Sequence, residues 1–205
     1  MCGKSEMTKR DQRKQVNLGN IFDRHVKHEF VDHDVDSTMK TMVKEPIVHH
    51  VPTMTGGIGF DQVYNFYKTE FVGKMPNDTK LKRISRTIGK DQVVDELILC
   101  FTHDTEIPYM LAGIAPTGKY VEIPHVVVMK FKGNRIVHEH IYWDQASVLA
   151  QIGLLDSTNL PIIGISQSRK LQEISSPKKK NLSQRTIVCV HSEVQVKIDF
   201  HNQCV

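Results

Sequence analysis

The chain is poor in several things, and each shortage excludes something. Its four cysteines, Cys2, Cys100, Cys189 and Cys204, are scattered with no CxxC pair and no disulfide-framework spacing, a pattern that fits inert thiols in a reducing compartment. No apolar run approaches the roughly 20 residues of a membrane span. The start, MCGKSEMTKRDQRKQ, is charged rather than apolar, and Cys2 in place of glycine after Met1 does not fit a myristoylation signal. These features predict a cytoplasmic protein without a membrane partner. Basic charge is also short where a nucleic-acid binder would need it. Residues 1–15 hold five basic and two acidic side chains and residues 169–205 seven and three, which leaves 16–168 with fifteen and eighteen, a net −3. A nucleic-acid-binding domain carries its basic face on the fold itself, so no nucleic acid is predicted.

What is present reads as one α+β domain over 16–168, preceded by a disordered basic arm (1–15) and followed by a basic linker and tail (169–205). Leu18, Ile21, Phe22, Val26 and Phe30 fall at helical spacing, predicting a helix over 17–31 that Asp32-His33-Asp34 breaks. A short helix with Met39, Met42 and Val43 on its apolar side is predicted to end at Pro46, before a strand over 47–51. Gly56-Gly57-Ile58-Gly59 completes neither GxGxxG nor GxxxxGK[ST] and reads as a turn within a 52–59 loop. A helix over 60–72 presents Phe60, Val63, Tyr64, Tyr67 and Phe71 on one face, and Gly73 stops it. Four period-2 strands follow, over 81–88, 92–105, 119–132 and 135–143, and then a helix over 145–155. The segment 161–168 reads as an apolar strap. The alternating stretch 186–200 reads as a strand without a partner, and Lys178-Lys179-Lys180 as a solvated block. Segregated helices and a long antiparallel meander give a curved sheet of four to six strands wrapped around the N-terminal helices, a cone with an internal pocket.

The densest stretch is NRIVHEHIYWDQASVLAQIGLL (134–155), with the only tryptophan at a strand-to-helix junction. Asp144 at that junction is a proton carrier if it faces an apolar cavity, and an N-cap if it faces the helix. His49 and His50 point to opposite sides of their strand, so only one of them can face a pocket as acid/base group or substrate hydrogen-bonder. His138 and His140 share one face, as do metal ligands in barrel enzymes, with Asp144 on the same parity and His125 on the neighbouring strand. Tyr67, Phe71, Met110, His125, His140 and Trp143 are candidate pocket residues. No organic-cofactor motif and no complete metal motif is present, so no cofactor and no metal is predicted.

Four stretches, VKHEFVDHDVDSTMKTMV, IVHHVPTMTGGIGFDQVYNFY, LAGIAPTGKYVEIP and EHIYWDQASVLAQIGLL, together resemble the SnoaL-like polyketide cyclases of the nuclear transport factor two-like superfamily over residues 17–160. The resemblance implies a cone that binds small hydrophobic molecules and often dimerises. In the cyclases an aspartate of the last E-x-W-x-x-x-D-type strand is the acid/base group. Glu139, Trp143 and Asp144 fall in that region, Asp144 matches that aspartate, and His50 sits in an N-H-V-P-like segment. The implied function is proton transfer on a hydrophobic carbonyl compound, as an isomerase, cyclase or hydratase using Asp144 and His50. The alternatives are a non-catalytic ligand-binding or dimerisation module, and a metal-assisted hydrolase using His138 and His140.

Overall fold

A computed structural model describes residues 17–176. The stretch 186–200, the lysine block, and Cys2, Cys189 and Cys204 lie outside the described residues. Asn17 opens helix α1 (Leu18–Lys27), its side-chain oxygen accepting the Asn20 amide at 3.1 Å. The helix does not stop there but widens into a π-helical turn, His28–Asp32, closed by His33 in the left-handed conformation. Asp34 then caps α2 (Val35–Lys40) through the Ser37 amide. The same sequel recurs later: α3 (Phe60–Phe66) widens into a π-helical turn, Tyr67–Phe71. Such turns rotate the side chains that follow them and are frequent at functional sites.

Between these helical units lie β1 (Met42–His50) and β2 (Thr55–Ile58). Met42 and Val43 are therefore strand residues, not the end of a helix. Pro46 does not stop a helix but lies where the β1 register shifts between Met42 and Ile47, the kind of irregularity at which a strand tolerates proline. The glycine run is likewise more than a turn, because all of it but Gly59 lies in the edge strand β2. Gly56 has φ +127°, and a Cβ there would sit 2.0 Å from the Val48 carbonyl oxygen, so only glycine lets β2 approach β1.

The meander is β3 (Lys80–Ile88), β4 (Gln92–Thr102), β5 (Tyr120–Lys132) and β6 (Arg135–Trp143). The long β4–β5 connection carries a short helix, α4 (Pro108–Leu111), that its proline-containing sequence hid. The six strands form one curved, unclosed sheet in the order β2-β1-β6-β5-β4-β3. Every pairing is antiparallel except β1 with β6, which is parallel. Helix α5 (Gln145–Gln151) follows β6 directly, and α6 (Ile165–Ser175) packs on β5, with the Ser168 hydroxyl donating to the Glu122 carbonyl at 2.8 Å. The compositional shift at Arg169 thus falls inside a helix rather than at the start of a linker. Leu18, Ile21 and Phe22 of α1, Val63 and Phe66 of α3, and Tyr109 of α4 cover the concave face as one core.

Candidate active site

Strand parity decides which side chains reach the concave face. On β6 the odd positions Glu139, Ile141 and Trp143 are buried, while His138 and His140 are half-buried and Tyr142 and Asp144 exposed on the other parity. Cross-strand register extends this inward set level by level. Val48, Glu139 and Met129 form one level, His50, Ile141 and Val127 the next, and Trp143, His125 and Leu97 a third. The three levels together span about 13 Å at the rise of a strand. Above them the helices leave a cavity of about 290 Å³ with predominantly apolar walls, including Phe22, Phe30, Phe71 and Leu99.

One end of the cavity holds a buried carboxyl cluster. Glu29, presented by the π-helical turn, and Glu139 both line the cavity and both meet Nε2 of His25, at 3.1 Å and 2.6 Å. The Tyr67 hydroxyl lies 3.3 Å from that nitrogen and 3.4 Å from Glu139 Oε1. On the far side of the ring, Nδ1 of His25 meets Thr41 Oγ1 at 2.5 Å, and the one hydroxyl proton of Thr41 is already given to the Thr38 carbonyl. Nδ1 must therefore donate. Burial alone would push the His25 pKa down, but the Glu139 and Glu29 carboxyls outweigh it and hold it at about 10, so the ring is an imidazolium. Burial, and then the neighbouring Glu139, raises Glu29 despite the opposing pull of His25. The ligand atoms of His25, Glu29 and Glu139 lie within 4.8 Å of one another, the one group of that kind among the described residues. It could hold a divalent ion only if His25 gave up the Nε2 proton.

The other end is uncharged. His50 is packed among Phe66, Phe71, Tyr109 and Trp143, with ring centroids 4.8–5.8 Å away. Burial, with repulsion from His125 and His49, lowers its pKa to about 3. His125 stacks on Trp143 at 5.2 Å, and burial lowers its pKa to about 4. Its Nδ1 contacts the Ile123 carbonyl at 3.3 Å and so carries the proton, leaving Nε2 as an acceptor. His125 Nε2 and His50 Nδ1 have no hydrogen-bond partner among the described residues. A third polar group on the wall is already spent: Arg86 grips Asp95 with two hydrogen bonds of 2.6 Å and reaches Asp23 at 2.7 Å.

Of the residues proposed from sequence, the structure brings His50, Tyr67, Phe71 and His125 to the cavity. Asp144 is not there. It is exposed at the start of α5, where Oδ1 accepts the Ser147 amide at 3.1 Å, so it is a helix cap on the outward parity. His140 shares that outward face, stacked on His138 at 4.2 Å and edge-on to His49, and the carboxylate that a metal site there would need does not converge on the pair. Trp143 and Met110 are core residues behind the wall: the indole Nε1 donates to Gln145 Oε1 at 2.6 Å, and Gln145 in turn donates to the Met110 carbonyl at 2.8 Å. The sequence reading missed His25 and Glu29 and gave Glu139 no role. The signal was available, since His25 and Glu29 continue the Leu18, Ile21, Phe22 stripe of α1 at helical spacing.

A curved sheet closed over by helices, with a mostly apolar cavity and a few converging polar groups, defines a small-molecule-binding domain of the nuclear transport factor two-like, ketosteroid isomerase-like fold. The model of the SnoaL-like polyketide cyclase family matches residues 20–152, and the chain belongs to that family. Solved structures agree on the fold. A candidate polyketide cyclase from Acidithiobacillus ferrooxidans is 19% identical, with TM-score 0.54 over 66% of this chain and 93% of that one. A protein of ketosteroid isomerase-like fold from Catenulispora acidiphila, in complex with trimethylamine, is 14% identical, with TM-score 0.53 over 68% and 96%. An NTF2-like protein of unknown function from Burkholderia pseudomallei is 17% identical, with TM-score 0.50 over 66% and 97%. No curated protein matches the chain. Among the described residues no helix is long and apolar enough to cross a membrane.

Proposed function

We propose that the protein is an acid/base enzyme of isomerase or cyclase type, removing a proton beside the carbonyl of a hydrophobic small molecule, with Glu139 as the proton acceptor. The observation that carries this reading is a carboxyl group, 4% exposed, on the wall of an otherwise largely apolar cavity. A carboxylate oxygen on that wall lies against whatever apolar molecule fills the cavity, the placement a general base needs. The aromatic walls suit a flat, uncharged substrate, and the neutral His125 offers a hydrogen-bond acceptor at the far end of the cavity. The outward face, with Tyr142 and Val126 exposed on neighbouring strands, is the surface we assign to a homodimer.

The test is deuterium uptake from solvent into 2-tetralone, a flat ketone with acidic C–H bonds beside its carbonyl, followed by NMR. Glu139→Gln is expected to slow the enzyme-dependent uptake by about 100-fold or more, the usual share of a general base, while Asp144→Ala leaves it unchanged. Uptake unaltered in Glu139→Gln would falsify the assignment. If wild-type protein accelerates uptake into neither 2-tetralone nor a hydrophobic 1,3-diketone, the non-catalytic binding module replaces the enzyme.

A further inference from the structure

Glu139 is not alone at its end of the cavity, and the charge count of the cluster leads further. Among the described residues the only positive charge against the two carboxyls is His25. The two cavity arginines, Arg83 and Arg86, are engaged with Asp23 and Asp95 instead. The other groups facing the cluster are uncharged: Thr41 and Met42 at the start of β1, Tyr67 from the second π-helical turn, and Tyr109 from α4 at longer range. Two ionised carboxylates and one imidazolium would leave a net −1 in the protein interior, which is costly. One further proton makes the cluster neutral. It belongs on the carboxyl farther from the imidazolium, which is Glu29 at 3.1 Å rather than Glu139 at 2.6 Å, since the shorter contact is the charge-assisted one. Each of the two π-helical turns contributes one member, Glu29 and Tyr67, so the helix distortions and the cluster coincide.

Building on the reading of Glu139 as base, we propose that Glu29 is a second catalytic residue, a neutral carboxylic acid that protonates the substrate carbonyl oxygen while Glu139 takes the proton from the adjacent carbon, and that His25, with its Nδ1 proton fixed by Thr41 and its Nε2 proton held between the carboxyls, is the positioning residue that keeps the two carboxyls in opposite charge states. The step balances without any oxidant or co-reactant. The C–H bond breaks and an O–H bond forms on Glu139. The Glu29 O–H bond breaks and an enol O–H forms on the substrate. In an isomerisation Glu139 returns its proton to another carbon and the enol proton goes back to Glu29, which restores both groups. An uncharged enol in place of an enolate suits a cavity whose far-end histidines are neutral. Pairs of carboxyls driven to opposite protonation by their surroundings are a recurrent acid/base device.

The first arm of the test needs no substrate. Difference infrared spectra of the full chain at pH 7 should show a protonated carboxyl band that disappears in Glu29→Gln and persists in Asp144→Ala, which removes a carboxyl outside the cavity. A wild type without that band, or a band that survives in Glu29→Gln, overturns the charge assignment. Nitrogen-15 NMR should show both His25 ring nitrogens protonated at pH 8, and Thr41→Val should bring the loss of that proton to lower pH; a singly protonated ring at pH 8 overturns the clamp. The second arm is 2-tetralone deuterium uptake, which Glu29→Gln should cut about 100-fold, with Glu29→Asp recovering part of the rate as a check against misfolding. Uptake unchanged in Glu29→Gln refutes its catalytic role. Uptake unchanged in Glu139→Gln refutes the base assignment instead, and leaves the infrared result on Glu29 standing, so the two failures are distinguishable.

Discussion

The two ends of the cavity are built on histidines of nearly equal burial, one charged and one neutral. His25 is 0% exposed and His50 2% exposed, yet the first is held protonated to about pH 10 and the second stays neutral down to about pH 3. Burial penalises the imidazolium in both. What differs is the partners: two carboxyls and a hydroxyl obliged to accept at one end, aromatic rings at the other. The charge of a buried titratable group in this protein is thus set by what its strand or helix neighbour brings to the same level of the cavity.

Breaking the charged end should cost most. His25→Ala leaves two buried carboxyls without a cation, and we expect a loss of about 3–5 kcal/mol in urea unfolding at pH 7. The loss should shrink as pH rises towards 10, where folded His25 itself gives up its proton. Wild-type stability owes His25 a contribution that is complete below its unfolded pKa near 6.5 and lost as pH rises through about 10. The neutral end should respond in the opposite sense. His50→Phe removes a buried ring nitrogen without a partner, so it should stabilise the fold by about 1–3 kcal/mol. That gain should grow as pH falls below 6.5, because the unfolded wild type binds a proton there that the folded His50 refuses down to about pH 3. An equal response of the two variants to pH would defeat the comparison. The smallest effect belongs to the residue outside the cavity: Asp144→Ala should cost about 1 kcal/mol as a lost cap, read as a small drop in the thermal midpoint.

How much of this was legible in the sequence follows from the same two ends. The α+β class, the four meander strands and the amphipathic faces of α1 and α3 were written in periodicity, and β6 was read at its true ends. Met42 to Pro46 was misread because Met39, Met42 and Val43 fit a helix as well as a strand, and only pairing with β6 settles it. The neutral end, with His50 and His125, was found because histidines among apolar residues stand out. The charged end was missed because its members come from α1, the two π-helical turns, the residue before β1, and β6, and have no shared spacing. Asp144 attracted attention by resemblance and by its junction, although parity places it with His138 and His140, opposite Ile141 and Trp143. The alternation that buries the tryptophan also buries Glu139, a deduction open from the sequence alone.

The single parallel pairing, β1 beside β6, has a consequence for the order of assembly. The strands from β3 to β6 are neighbours in sequence and can close as successive hairpins, whereas β1 must wait for β6 across nearly ninety residues. Contacts of such separation form late and slow the folding of a chain. Glu29 precedes β1 in the chain, and Glu139 lies on β6 as the partner of Val48 in β1. During synthesis the carboxyl cluster therefore cannot exist until the ribosome has released β6, and a nascent chain lacks the arrangement altogether.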